Sequence, residues 1–446
     1  MEKNRPGNSP IGDSSRRDFL KTAAGAAVTA AAGGLAAQSA ASSPVEHMPT
    51  TAHGMSRVIG ANDRIHVGQI GPHWGGQGGV HVRNILAHKK EWNIEYVAIA
   101  DIYTYHLQHT QQHIGLKDNQ CFRDYREMLE KVPEIDVMWV TTPEHWHAQQ
   151  TIDSLEAGKD IYCEKPLTKG VEEALKVRET VLRTNRVLQM GTQGATDPTY
   201  HRIGDLIKSG KYGDVIWARG SYCRNSPNGE WNYYGLDPQA TADNTDWSVF
   251  EKPCRRKHPF NKDRFFRWRK YWSYSAGIQG DLFPHVLAPL LIAIGKEEYP
   301  RKVIATGDLL ETDRDVPDTI HMVIEYPSKF TVVLSGSTLQ DHGYTPTICC
   351  SKATVEFAMF GGGSINIEPQ QNFADQVDAL QEHVPGASED IVNHEANFLE
   401  CVRDRTKTPN ANIHLAAKVQ VALSMGEMAY RENREILFDP ERLRLI

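Results

Sequence analysis

The sequence predicts two joined folds: an α/β domain built on a parallel sheet, then an α+β domain built on a mostly antiparallel sheet. Three observations predict them. Between residues 64 and 190, short apolar strands alternate with helical patterns, which implies parallel strands joined by right-handed crossovers. A glycine-rich turn follows the first of those strands. Beyond residue 215, strand succeeds strand across short turns, as in an antiparallel sheet.

In chain order, the first domain reads as strands at 64–70, 94–100, 137–140, 160–163 and 187–190. Helical patterns at 80–88, 146–157 and 171–184 lie between them. The segment at 64–70 reads as an apolar strand and that at 94–100 as a second, buried one. The second domain opens with a strand at 215–222 and an irregular stretch at 224–274, rich in Trp, Tyr, Arg, Asn and Pro. A structureless run of that length inside a compact domain is expected where it builds a site. A helix at 281–294, strands at 303–306, 319–325, 331–335 and 353–357, and closing helices at 391–403 and 415–431 complete the expected order.

The chain has 446 residues, which suits two or three domains, and 40% are hydrophobic, enough for a sizeable core. The net charge of −7 is mixed along the chain, with no basic stripe for nucleic acid. No apolar run is long enough to span a membrane, apart from a segment near the start. That segment follows Ser15-Arg16-Arg17-Asp18-Phe19-Leu20-Lys21, a twin-arginine pattern, and is rich in Ala and Gly over 22–37. The expected division is a twin-arginine signal peptide at 1–41, a linker at 42–61, the α/β domain at 62–192 and the α+β domain with its closing helices at 193–446. This predicts export by the twin-arginine translocase, to the periplasm or beyond. The seven cysteines form no C-x-x-C pair, which excludes zinc-ribbon and thioredoxin-like readings. His145 and His147 are two imidazoles without further ligands, so no metal site is expected.

The glycine turn runs Gly71-Pro72-His73-Trp74-Gly75-Gly76-Gln77-Gly78-Gly79. A Rossmann fingerprint uses three glycines: for the tight turn, for close approach of backbone to a pyrophosphate, and for helix packing. Gly71, Gly75 and Gly78 fit that pattern with two extra residues after the first. A flexible surface loop is the other reading, but the strand–turn–helix context favours the fingerprint. Asp101, at the end of the second strand, suits the adenosine ribose hydroxyls and would repel a 2′-phosphate, which favours NAD over NADP. An ordinary helix cap is its alternative.

Two segments carry a resemblance. Thr141-Thr142-Pro143-Glu144-His145-Trp146-His147 and Ala157-Gly158-Lys159-Asp160-Ile161-Tyr162-Cys163-Glu164-Lys165-Pro166 are similar to the marks of the Gfo/Idh/MocA family, named after glucose-fructose oxidoreductase and inositol dehydrogenase. Phe265-Phe266-Arg267-Trp268-Arg269-Lys270-Tyr271-Trp272 and the helix after Asn410-Ala411-Asn412-Ile413 extend the resemblance over the rest of the chain. It implies a Rossmann domain followed by an open, mostly antiparallel sheet. One face of that sheet covers nicotinamide and substrate, and the other often joins subunits, so a homo-oligomer is expected. The resemblance puts Thr142, Pro143, His145, His147, Glu164, Lys165 and Gln193 beside the cofactor.

It also implies catalytic roles. Lys165 would set a positive charge beside the substrate hydroxyl and stabilise developing alkoxide. In Gly280-Asp281-Leu282-Phe283-Pro284-His285, His285 would take the hydroxyl proton and Asp281 would support base or substrate. Read without the resemblance, the same pair is a capping Asp and a packed His sharing one helical face. Arg224, Arg267, Trp268 and Tyr274 have the chemistry of a polyol pocket, or equally of core and interface. The expected activity is hydride transfer between a tightly bound NAD and a hydroxyl of a sugar, polyol or glycoside. A glycosidase that uses NAD transiently is an alternative, against which stands the intact Glu164-Lys165-Pro166. A cofactor-bearing binding protein without turnover is another, against which stand Lys165, Asp281 and His285.

Overall fold

A computed structural model describes residues 60, 63–311 and 313–446. The twin-arginine segment lies outside these residues. The first domain places β1 (Ile65–Ile70), α1 (Gln77–His88), β2 (Ile94–Ala100), α2 (Thr104–Ile114), β3 (Cys121–Phe122), α3 (Tyr125–Lys131), β4 (Val137–Val140), α4 (His147–Glu156), β5 (Asp160–Glu164), α5 (Val171–Thr184) and β6 (Leu188–Gly191) in chain order. Its six strands run in the order β3-β2-β1-β4-β5-β6. Every pair is parallel. The strand order reverses between β1 and β4, so a crevice opens beyond their carboxyl ends, the place where such sheets take ligands. Local chemistry sets the helix ends: the Asp124 carboxylate accepts the Arg126 amide at the start of α3, and Gly115 ends α2 at φ 83°.

The second domain begins with α6 (Pro198–Lys208), β7 (Val215–Asn225), α7 (Trp247–Phe250), α8 (Lys262–Phe266), α9 (Ile278–Asp281) and α10 (Pro284–Ile294). Then follow β8 (Lys302–Asp308), β9 (Thr319–Glu325), β10 (Thr331–Ser337), β11 (Leu339–Gln340), β12 (Thr347–Cys350), β13 (Ala353–Phe357), β14 (Ser364–Pro369) and β15 (Leu380–His383). Helices α11 (Ile391–Arg403) and α12 (Ile413–Glu432) and strands β16 (Ile436–Asp439) and β17 (Arg444–Leu445) close the chain. The sheet order is β15-β14-β13-β12-β7-β10-β9-β8-β16-β17, with β11 on β7. It is antiparallel apart from the β7–β10 pair. One face packs on α10 and α12, whose apolar side chains are almost all buried. The other face leaves Ile216, Trp217 and Ile304 exposed.

The last helices return to the first sheet. Phe398 of α11 meets the rings of Trp139 and Tyr162 edge-on at 5.4 and 5.8 Å, and the Met190 amide of β6 donates to the Ala411 carbonyl at 2.9 Å. The expected continuous helix at 281–294 is corrected: α9 ends at Asp281 and α10 starts at Pro284. A proline cannot continue the preceding helix, yet suits a first helical turn, where its missing N–H is not needed. Asp281 and His285 therefore stand on two helices, not on one face of one helix. The irregular run after β7 contains the short helices α7 and α8 and a single 3₁₀ turn at Trp268–Lys270 before α9.

Candidate functional site

The glycine turn sits at the carboxyl end of β1. Gly71 has φ +77°, and its amide donates to the Ala100 carbonyl at 2.9 Å. A Cβ on Gly78 would lie 2.2 Å from the Gly71 carbonyl oxygen, so only glycine lets α1 pack against the turn. The nearest atoms that a Cβ on Gly75 would meet belong to the His73 ring, at 3.1 Å. The amino end of α1, capped by Gly76, faces the crevice and suits an anion such as a pyrophosphate. The extra residues do not hang free. His73 stacks on His106 of α2 at 3.7 Å, Trp74 stacks on His113 at 3.9 Å, and the Thr110 hydroxyl donates to the Pro72 carbonyl.

Asp101 ends β2 beside this turn. One carboxylate oxygen accepts the Tyr103 amide at 2.9 Å, ahead of α2, so it shapes the turn into that helix. The other lies 3.8 Å from His106 Nδ1. Burial pushes the Asp101 carboxyl up to about 7. The helix-cap reading of Asp101 is corrected: α2 is capped at Tyr103, and Asp101 instead accepts the amide of that cap residue from two positions ahead of it.

The segment after β4 lies across the crevice. The Thr142 hydroxyl donates to Gln150 at 2.5 Å. The His147 ring sits between the Thr142 and Pro166 carbonyl oxygens, at 2.7 and 2.6 Å, and so ties the Thr142-Pro143 turn to the turn after β5. His145 is buried against Phe250 and Tyr274, and its Nε2 donates to the Phe250 carbonyl. Burial lowers it to about 3, so it is neutral there. Gln193 begins the turn after β6 and its side chain makes no hydrogen bond to a described residue.

Glu164 ends β5, and its carboxylate turns inward. It accepts the Lys165 amide at 3.1 Å and meets His81 Nε2 at 2.8 Å, while His81 Nδ1 meets Glu395 of α11 at 2.5 Å. The His81 ring is fully buried. Burial disfavours its charge, but the two carboxylates outweigh burial and raise it to about 9. Burial likewise opposes the Glu164 charge, yet His81 and Lys165 hold that carboxyl down to about 2. A charged Glu–His–Glu bridge thus joins α1, the end of β5 and α11. Sequence reasoning missed it. His81, three residues past Gly78, was findable as a residue of the first turns of α1, but nothing local marked Glu395.

Lys165 follows across a cis peptide to Pro166. Its Nζ donates to the Asp281 carboxylate at 2.8 Å and to the Asp281 carbonyl at 2.6 Å. The same carboxylate accepts Arg269 Nε at 3.0 Å, Arg224 Nη2 at 3.1 Å and Trp231 Nε1 at 2.9 Å. Burial would raise Asp281, but Lys165, Arg269 and Arg224 hold it well below the usual carboxylate range. Arg224 also meets Glu230 at 2.6 Å. Lys165, Arg224 and Arg269 therefore converge on Asp281, with Glu230 on Arg224 and the Glu164 carboxylate acting on Lys165. His285 adjoins this cluster, with the Tyr222 ring at 6.1 Å and no hydrogen bond to a described residue. Burial and Lys165 lower it to about 3, so the ring is neutral.

Of the expected pocket residues, Arg224 joins the cluster. Arg267 instead holds the irregular stretch together, donating to the Tyr234 and Asn232 carbonyls. Tyr274 is fully buried and donates its hydroxyl to Glu251. Trp268 acts through its neighbour, its ring 4.1 Å from the Arg269 guanidinium. Sequence reasoning missed Arg269, Trp231 and Glu230, although Arg269 lies inside the Phe265–Trp272 segment that carried the resemblance. Among the described residues no cluster of three metal-ligating side chains occurs.

The NAD-binding Rossmann domain of the Gfo/Idh/MocA oxidoreductases matches residues 65–192, and the C-terminal α/β domain of the same family matches 228–446. The chain belongs to the Gfo/Idh/MocA family. Its first domain is the NAD-binding Rossmann domain of that family, and its mixed, mostly antiparallel second sheet belongs to the family's C-terminal domain. Among curated relatives, it is 28% identical over 241 residues to a glycosyl hydrolase family 109 protein of Shewanella baltica, covering 52% of this chain and 50% of that one. It is 28% identical over 162 residues to inositol 2-dehydrogenase of Rubrobacter xylanophilus, covering 36% and 44%. The chain thus spans half or less of these relatives' length. An inositol dehydrogenase homolog of Azotobacter vinelandii, complexed with NADH and myo-inositol, shares the fold with TM-score 0.64 at 18% identity, over 84% of this chain and 98% of that one. Levoglucosan dehydrogenase in complex with NADH does so with TM-score 0.63 at 17% identity, over 84% and 98%.

Proposed function

We propose that this Gfo/Idh/MocA oxidoreductase removes hydride from a CH–OH group of a sugar, polyol or glycoside and keeps its NAD bound. The observation that carries the reading is the convergence of Lys165, Arg224 and Arg269 on Asp281 beside a neutral His285. Bound NAD supplies the hydride acceptor. The backbone around Gly71, Gly75 and Gly78 and the amino end of α1 would take its pyrophosphate, and Asp101 its ribose. Thr142, Pro143, His145, His147, Glu164 and Gln193 would shape the wall on which it rests.

Lys165 has two of its three N–H bonds directed at Asp281, which leaves the third for the substrate oxygen. The Lys165 charge directed at that oxygen favours alkoxide over alcohol there. Burial, helped by Lys165, keeps His285 unprotonated and leaves its ring open as an acceptor, through which the hydroxyl proton passes to water. Asp281 orients the three cations, and Glu230 steadies Arg224.

The matches to glycosyl hydrolase family 109 proteins favour a second reading, in which the oxidised sugar eliminates its aglycone and is then hydrated and reduced. One experiment separates the two. Purified protein is given a panel of sugars, polyols and chromogenic glycosides, and nicotinamide absorbance and free aglycone are followed together. Net NADH or acceptor reduction without aglycone supports the dehydrogenase. Catalytic aglycone release without net redox change supports the glycosidase, and neither signal on any compound refutes both.

We also propose export by the twin-arginine translocase to the periplasm or beyond, on the Arg16-Arg17 pattern. Self-association through the outward sheet face is proposed on the exposed Ile216, Trp217 and Ile304.

A further inference from the structure

The stretch from 237 to 266 belongs to the second domain in sequence, yet it rests on the carboxyl edge of the first sheet, where it stands on two feet. One foot is the turn from β2 into α2. There the Tyr103 hydroxyl donates to the Asp237 carboxylate, and the Thr104 amide, which opens α2, donates to the Asn244 carbonyl at 2.9 Å. Arg123, just after β3, donates to the Ile102 and Asp243 carbonyls at 2.8 and 3.1 Å and so fastens the same foot. The other foot is the turn after β4, where the His145 ring and the Trp146 indole share the Phe250 carbonyl at 2.9 and 3.2 Å. Strands β2 and β4 are the two neighbours of β1. A chain that runs from Asn244 on one to Phe250 on the other therefore spans the crevice at the carboxyl end of β1.

The stretch packs around a centre of its own. Trp247, Phe250, Phe265 and Tyr274 form a small aromatic core, and the first domain inserts the buried ring of Tyr103 into it. Tyr103 lies two residues past Asp101, whose carboxylate accepts its amide. From there a line of rings leads back to the glycine turn. Tyr103 and Phe266 meet His106 edge-on at 4.6 and 6.2 Å, and His106 stacks on His73 at 3.7 Å. The end of the crevice that holds Asp101 is thus walled by the glycine turn, by α2 and by a segment of the second domain.

We propose that the stretch 237–266 is a clasp over the adenosine half of the dinucleotide, through which the second domain retains the cofactor that the first domain binds. A ligand under a bridged crevice leaves only when a foot lifts. Lifting the first foot breaks the Tyr103–Asp237 hydrogen bond, which is of the stronger, charge-assisted kind, and uncovers the Tyr103 ring. Tyr103 and Asp237 are positioning residues: they hold the cover, not the cofactor. The proposal rests on the reading that NAD occupies this crevice with its ribose on Asp101, and it adds what keeps it there.

Two measurements on the full chain test it. In the first, amide hydrogen exchange is compared with and without saturating NAD. Exchange should slow on both sides of the contact, at 102–106 and at 243–251. In the second, protein loaded with NADH is mixed with excess NAD, and the loss of bound-NADH fluorescence gives the release rate. Tyr103→Phe and Asp237→Ala should each quicken release about tenfold or more, as loss of a hydrogen bond to a charged group does. The double variant should be no faster than Asp237→Ala alone, because both changes break the same bond. Tyr103→Phe removes one oxygen atom and keeps the ring, so the result does not turn on misfolding. Unchanged release in both variants overturns the proposal, and so do additive effects, which mark independent damage to the fold. Slower release would show that the stretch obstructs the crevice, and overturns it equally. Protection by NAD that stays within the first domain leaves the cofactor reading standing and removes the clasp. Protein that binds neither NADH nor NAD overturns both.

Discussion

At the scale of single residues, the site rests on one carboxylate that is asked to orient three cations. Asp281 accepts from Lys165, Arg224 and Arg269 and from the Trp231 indole. Removing Lys165 takes away the donor to the substrate oxygen but leaves the glycine turn, Asp101 and the Thr142-Pro143 turn as they are. Lys165→Ala should therefore lower kcat by about 10²–10³-fold, as loss of an oxyanion donor does. His285→Ala should lower it by about 10²–10⁴-fold, the range for a general base. Both variants should keep wild-type NAD content, read from absorbance of the released cofactor. Near-wild-type turnover in either would remove that residue from the mechanism, and loss of NAD would reassign it to cofactor binding. The sequence singled out Lys165 and Asp281 through the resemblance, which rests on short motifs, and the fold brings the two side chains into contact. Arg269 was not singled out, because an arginine among aromatic residues reads the same whether it stacks on a surface or points into a site.

At the scale of elements, the bridge through His81 links pieces far apart in sequence. The imidazolium separates two buried carboxylates, Glu164 at the end of β5 and Glu395 on α11. Removing it leaves like charges facing each other in the interior. His81→Leu should destabilise the fold by about 3–5 kcal/mol, as breaking a buried ion pair does. His81→Leu with Glu395→Leu should recover much of that, since apolar replacement of a whole buried pair is often neutral. The pH dependence has a definite sign. The folded His81 value of about 9 lies above the unfolded one near 6.5. Its contribution is thus complete below about pH 6.5 and fades as pH rises through about 9. Thermal unfolding between pH 6 and 10 should show a fall in wild type that His81→Leu lacks, and parallel curves would refute the bridge. This explains what the sequence concealed. The strands at 94–100, 137–140 and 319–325 and the helices at 171–184 and 391–403 were legible to the residue, because 319–325 and the two helices bury a periodic face and 137–140 is apolar and buried throughout. The break between Asp281 and Pro284 was blurred by an apolar run that continues through it. The bridge depends on α11 folding back over β6, a contact of the tertiary fold that no local pattern announces.

At the scale of the whole molecule, the last helices hold the two sheets together. Phe398 packs on Trp139 and Tyr162 of the first sheet, and α12 packs between that domain's α5 and strand β8 of the second. The extra residues of the glycine turn are pinned on α2 by the His73–His106 and Trp74–His113 stacks, and Arg83 donates to the Trp74 carbonyl at 2.7 Å. A cofactor seated in this crevice is bounded by segments tied to three different helices, so its release requires several contacts to open together. Slow release matters if the Arg16-Arg17 pattern directs export, as proposed, because free NAD is scarce outside the cytoplasm. An enzyme that released NADH at each turn would stall there. Reoxidation in place avoids this, by a second carbonyl substrate, by return of the hydride to the same sugar, or by an external acceptor. The protein should therefore purify with close to one nicotinamide dinucleotide per chain and keep it through extended dialysis. It should also turn over many times without added NAD once a suitable acceptor is present. Cofactor content by absorbance and mass spectrometry, together with turnover per bound NAD, checks this directly. Protein that purifies empty and needs millimolar free NAD would sink the idea, and with it the strongest functional reason for reading the first residues as an export signal.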